Sequence, residues 1–207
     1  MSIRNVEELQ EMHLDVLKEI GNIGSGNAAS ALSTMLNCTT DISVPDVRLL
    51  NFSDAVNFLG GPENIAIGML VNLTGDITGM MLYVLQHSCA SKMTSAIFGS
   101  EIEDLVNMNE MEHSFIAEVG NVMTASYINA IASLAGLTID ISVPQMTVDM
   151  VGAILSVPAV QFAQVGDKVL FIDDNFVIGE CEVQSNMILV PEMSSLELLF
   201  NKLGVNL

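Results

Sequence analysis

The chain has 207 residues, half of them apolar and only 15% charged, a balance that fits a folded globular protein and excludes a disordered one. Its net charge of −19 owes less to 25 acidic residues than to having only six lysines and arginines. So few cations exclude a nucleic-acid-binding surface, and the acidic field instead steers toward partners that present lysine or arginine.

In chain order, residues 1–12 are polar and acidic, without the apolar core of a secretory signal, so a cytoplasmic location is expected. Residues 6–37 carry helical spacing through Leu9, Met12, Val16, Ile20, Ile23, Ala28, Ala31, Leu32 and Met35. An extended run, 40–50, ends that unit around Pro45. Residues 64–72 and 76–86 read as strands joined by Thr74-Gly75-Asp76. Together they contain the longest apolar stretch, 65–85, which Asn72 and Asp76 interrupt, so no membrane insertion is expected. A helix over 88–98 stops at Gly99.

The order then repeats. Residues 110–135 are helical through Met111, Phe115, Val119, Val122, Tyr127, Ile131 and Leu134, and 138–148 are extended. Residues 151–164 suggest a short helix particular to this half. Strands are expected over 168–173, 176–184 and 186–190, with Asp173-Asp174-Asn175 as a turn, before a helix over 193–203 that stops at Gly204. Cys38, Cys89 and Cys181 lack a CxxC pair and read as reduced, small core residues. The methionines read as adaptable core packing.

Aligning 11–45 with 110–144 without gaps gives twelve identities, at positions 11, 12, 19, 21, 22, 31, 39 and 41–45. Asp15-x3-Glu19-x2-Asn22 recurs as Ser114-x3-Glu118-x2-Asn121, and Asp-Ile-Ser-Val-Pro closes both copies at Pro45 and Pro144. Neither half can bury its sheet face alone. The expected fold is therefore α+β: a single internally duplicated domain over 1–207, with halves at about 6–99 and 109–204. They would pair around a pseudo-twofold axis into one sheet of about six mainly antiparallel strands flanked by long helices.

On a helix, i, i+4 and i+7 share a stripe, so Asp15, Glu19 and Asn22 point one way, as do Ser114, Glu118 and Asn121. His13, His87 and His113 have no second ligand at metal-binding spacing, so no metal of the protein's own is expected. An amide has both donor and acceptor and can hold a water toward an electrophile, while a carboxylate can pair with a cation beside it. That combination suits hydrolysis of an already activated phosphoryl group, such as an aspartyl phosphate on a partner that brings its own Mg²⁺ and lysine. Gly21 and Gly120, inside the motif in both copies, suggest that another backbone comes close there, and Gly24 and Gly26 follow in the first copy. The prolines read as strand ends.

The doubled [Asp/Ser]-x3-Glu-x2-Asn-x22-Pro pattern resembles the CheC/CheX/FliY family of bacterial and archaeal chemotaxis proteins. The resemblance covers the whole chain. Two intact copies look like the CheC branch, since CheX-like members keep one copy and FliY carries an added flagellar-switch domain. Glu-Ile-Gly-Asn-Ile-Gly-Ser-Gly at 19–26 and Val148-Asp149-Met150 are similar too. The resemblance implies a phosphatase acting on the phosphorylated response regulator CheY. It implies that Asn22 and Asn121 orient the attacking water and that Glu19 and Glu118 pair with the regulator's lysine. Asp15 and Ser114 would bind at the first motif position, and Asp149 would contact the receptor deamidase CheD. The competing expectation is a non-catalytic adaptor for a response regulator or for CheD. A monomer is expected, because the internal duplication already supplies a dimer's symmetry.

Overall fold

A computed structural model describes residue 9 and residues 11–161, 168–178 and 181–205, with the side chains of Ile42 and Cys181 outside that description. The start of the helical run predicted from residue 6, and residues 162–164 of the run predicted over 151–164, therefore lie outside the described residues. In the first half the elements are α1 (Glu11–Leu36), β1 (Thr40–Ile42), β2 (Asp46–Asn51), α2 (Phe52–Phe58), β3 (Ile65–Gly75), β4 (Gly79–Gln86) and α3 (His87–Phe98). The second half repeats them as α4 (Glu110–Ala135), β5 (Ile139–Ile141), β6 (Gln145–Met150), α5 (Val151–Gln161), β7 (Lys168–Ile178), β8 (Cys181–Pro191) and α6 (Met193–Lys202).

All strands join one antiparallel sheet with β8 and β4 at its centre, flanked by β7 and β3. The outer positions are crossed over between halves. β1 and β2 of the first half pair with β7 of the second, while β5 and β6 of the second pair with β3 of the first. Each outer strand is interrupted at its proline, which has no N–H to donate to a ladder, so among the described residues six ladder positions hold eight strands.

Helices cover both faces. α1, α3, α4 and α6 pack on one, with Leu32, Met69, Met81, Tyr83, Met123, Met187 and Phe200 buried between. α2 and α5 cover the other, over Met80, Leu82, Val84 and Phe171. α4 begins where it does because Asn109 accepts from the backbone N–H of Met111 and Glu112, while the Glu112 carboxylate accepts from Asn109 N–H, a reciprocal capping box. α3 ends at Gly99 and α4 at Gly136, both left-handed, with φ of 69° and 63°.

Three expectations are corrected. Asp173-Asp174-Asn175 is no turn: it lies mid-strand in a continuous β7, paired with Ser185 and its neighbours, so the second half has two long strands rather than three. Asp173 and Asp174 are buried and hydrogen-bonded, and these internal partners override their turn preference. The helix after β6 is not particular to the second half, because α2 stands in the equivalent place after β2 and is only shorter. Met12 and Met111, which fit the apolar spacing, are exposed instead.

The glycines answer to the protein's own packing. A Cβ on Gly21 would stand 3.2 Å from Pro45 Cγ, and one on Gly120 would run into the Met69 side chain. The atoms that crowd these two positions belong to side chains of the same chain, not to an approaching backbone. At Gly24 a backbone does come close: its Cβ would be 3.1 Å from Tyr127 Cα, at the α1–α4 crossing. Gly26 has nothing within 4 Å.

These two glycines therefore predict opposite effects. Gly24→Ala wedges the helices apart and is expected to lower unfolding free energy by about 1–3 kcal/mol, whereas Gly26→Ala removes an unfavourable helix residue and should raise it by up to about 1 kcal/mol. Urea titration of both variants reads the signs, and a matching pair of stabilisations would show that the helices do not meet at Gly24.

Candidate functional site

Glu19 and Asn22 leave the outer face of α1 one turn apart and both are exposed; on α4, Glu118 is exposed and Asn121 half-buried. Among the described residues none of these four side chains has a hydrogen-bond or ion-pair partner. Asp15 is exposed and lies 3.6 Å from Lys18 Nζ, while Ser114 is exposed. The structure thus groups each predicted triplet into one outward stripe. The buried face of α1, with Leu17, Ile20, Gly24, Ala28 and Leu32, is spent on the core, which leaves the polar stripe no inward option.

The two stripes do not converge on one site. Gly24 meets Tyr127 while Ile20 shares a small void with Ile131, so the helices run antiparallel. Each motif then lies on its own side of the crossing. α1 flanks the edge made by β1 and β2, and α4 flanks β3 and β5. Asp149 belongs to neither stripe. It is exposed on β6 with its carboxylate accepting from Met150 N–H at 2.7 Å. It borders a groove of about 320 Å³ with Gly68, Ile154 and Val157, on the α5 side of the sheet. Among the described residues no group of three or more His, Cys, Asp or Glu side chains is arranged to hold a metal ion.

Beneath the helices lies a buried cluster that the sequence reading missed. Asp174 of β7 accepts from Ser25 Oγ at 2.7 Å and from the Tyr127 hydroxyl, and the Ser25 and Tyr127 hydroxyls also meet. Burial pushes the Asp174 carboxyl up to about 6, with the charge of Asp173 adding, while the hydrogen bonds from Ser25 and Tyr127 pull the other way. Burial likewise raises the Tyr127 phenol. Ser25 follows Asn22 by three residues and Tyr127 follows Asn121 by six, so one carboxyl ties both motif helices to the sheet. Its only signal in the sequence was two acids inside an otherwise apolar strand.

Residues 12–48 and 111–148, which are α1 through β2 and most of α4 through β6, each match the CheC-like family. Over 211 aligned residues, covering all of both chains, the protein is 33% identical to the CheY-P phosphatase CheC of Bacillus subtilis (strain 168). The chain belongs to the CheC-like family. It is also 31% identical over 145 residues to the flagellar motor switch phosphatase FliY of the same organism, across 70% of this chain and 38% of that longer protein. The crystal structure of Thermotoga maritima FliY superposes with a TM-score of 0.74 over 95% of this chain and 98% of that one, at 23% identity. That likeness bears on the fold: the α+β duplicated sheet is shared. Both family-matched segments hold a complete Glu–Asn stripe and the proline that follows it.

In this CheC-like chain the Asp174 carboxyl gives a signed pH effect. Its folded value, about 6, lies above the ordinary 3.8. The folded protein therefore holds that proton more tightly than the unfolded chain, and this contribution to stability is lost as pH rises through 6. Relative to Asp174→Asn, the unsubstituted protein is expected to gain roughly 1 kcal/mol on going from pH 7.5 to pH 5. Urea midpoints of both proteins at the two pH values measure the difference, and a constant gap would show that Asp174 does not titrate there.

Proposed function

We propose that the chain is a hydrolase of the aspartyl phosphate on a CheY-type response regulator, with one working site on α1 and one on α4. The relatives named for CheY-P and flagellar-switch phosphatase activity support the reaction class. What carries the assignment of residues is that each helix presents a carboxylate and, one turn on, a carboxamide, with no hydrogen-bond or ion-pair partner for either among the described residues.

The chemistry follows from those groups. Asn22 or Asn121 enters the regulator's active site and holds a water through its amide, one lone pair toward phosphorus. Attack in line with the aspartyl oxygen forms the new P–O bond as the acyl phosphate bond breaks, which releases the carboxylate and inorganic phosphate. The regulator's own Mg²⁺ and lysine would supply the positive charge that the developing oxyanion needs. Glu19 or Glu118 pairs with that lysine and sets the depth of insertion. Asp15 and Ser114 contact the regulator at the rim. Asp149, on the opposite face of the sheet, is the contact for the deamidase CheD, and its distance from both stripes suits simultaneous binding. The internal twofold lets the protein act as a monomer.

Asn22→Ala combined with Asn121→Ala is expected to cut the accelerated loss of phosphate by roughly 100-fold or more, since positioning supplies most of the rate. Thermal stability should change little, because among the described residues neither side chain has a hydrogen-bond partner. A double variant that hydrolyses normally would instead make the chain an adaptor. Separately, Glu19→Lys with Glu118→Lys is expected to raise KM for the phosphorylated regulator about tenfold through loss of an ion pair and like-charge repulsion. Steady-state phosphate release against regulator concentration reads that change.

A further inference from the structure

Both edges of the sheet carry the same irregularity. Ile42 faces Phe176 and Asp46 faces Asp173, so four steps along the first edge span three along β7. Ile141 faces Leu73 and Gln145 faces Leu70, again four steps against three. Each Asp-Ile-Ser-Val-Pro segment is thus a one-residue β-bulge, anchored where Ser43 N–H donates to the Asn175 carbonyl and Ser142 N–H to the Asn72 carbonyl, both at 3.0 Å. A bulge re-aims a side chain out of the ladder. The side chain turned out here is a valine in both copies, with Val44 74% and Val143 85% exposed.

The residues that the two halves share are mostly not core. Glu11, Met12, Glu19, Thr39, Asp41 and Val44 match their counterparts and are exposed in both. Shared buried residues follow from shared packing, but packing gives no reason for an exposed valine or methionine to persist twice. Met12 is 50% and Met111 64% exposed.

The bulge lies beside the Glu–Asn pair. Ser33 stands eleven residues, about three turns, beyond Asn22 and so shares its face. Thr40 N–H donates to Ser33 Oγ at 2.8 Å, and Gly21 abuts Pro45. The outer strand therefore runs back along the flank of α1 that holds Asn22, bringing Val44 level with it. Met12 lies seven residues before Glu19, on the same stripe.

We propose that Val44 and Val143 are apolar anchors for the phosphorylated receiver domain of the response regulator, one per site, with Met12 and Met111 closing the other end of each patch. The inference rests on the phosphatase reading above. Apolar groups around the Glu–Asn pair exclude water from it, and the acidic surround of Asp15, Glu19 and Asp41 matches a partner whose active site carries a lysine.

The test is the double variant Val44→Ser with Val143→Ser. It is expected to raise KM for the phosphorylated regulator five- to tenfold, to leave kcat within twofold, and to weaken Kd for the beryllofluoride-loaded regulator to the same extent. The melting temperature should stay within about two degrees, since both side chains are exposed. Unchanged KM and Kd, with the unsubstituted protein active, would overturn the anchor while sparing the phosphatase reading. If the unsubstituted protein proves inactive, the Kd comparison still decides the anchor. A KM change accompanied by a large fall in melting temperature would assign the valines to folding of the bulge and overturn the proposal. So would a change confined to self-association in light scattering, which would make a second copy the occupant.

Discussion

The α1–α4 crossing is the contact from which the rest of the architecture takes its register. Gly24 lets the backbone of α1 approach Tyr127 of α4, and beneath the crossing the Asp174 carboxyl accepts hydroxyls from both helices. A dispersion contact alone tolerates sliding. A buried carboxyl with two donors does not, because a slip of either helix would leave it desolvated and unmatched. The two Glu–Asn stripes are thereby fixed in azimuth relative to the sheet. Burial raises the affinity of that carboxyl for a proton, while the two hydroxyl donors oppose the rise.

Around that contact, the duplication divides labour. The inner faces of α1 and α4 are spent on a common core, and each helix is left one outward stripe at its own side of the crossing. The opposite sheet face, with α2, α5 and Asp149, is structurally independent of those stripes. One acidic chain with very few cations thus presents the same Glu–Asn stripe twice on one face and a different surface on the other.

Much of this was legible in the sequence. The two long helices, both hairpin strands of the first half, the terminal glycines and the outward Glu–Asn stripes follow from spacing, because amphipathic periodicity and left-handed caps are local. What failed was non-local. Asp173-Asp174-Asn175 has the letters of a turn, but Ser25 and Tyr127, far away in sequence, supply the partners that keep it in a strand. Met12 and Met111 fit an apolar stripe because a helical pattern cannot tell a core methionine from an exposed one. α2 was too short for its periodicity to register. The bulges are invisible in either edge alone, since an extra residue shows only when the edge is counted against its neighbour.

The crossed-over edges carry a consequence for how such a chain came to be. Because β1 and β2 complete the sheet of the second half, and β5 and β6 that of the first, a single-copy forebear with the same strand pairing would have left its own outer positions unfilled. It would have had to trade outer strands with a twin, and joining two genes end to end would then have captured that exchange within one polypeptide. After such a fusion each Glu–Asn stripe is free to drift on its own, and position 15 is aspartate where position 114 is serine.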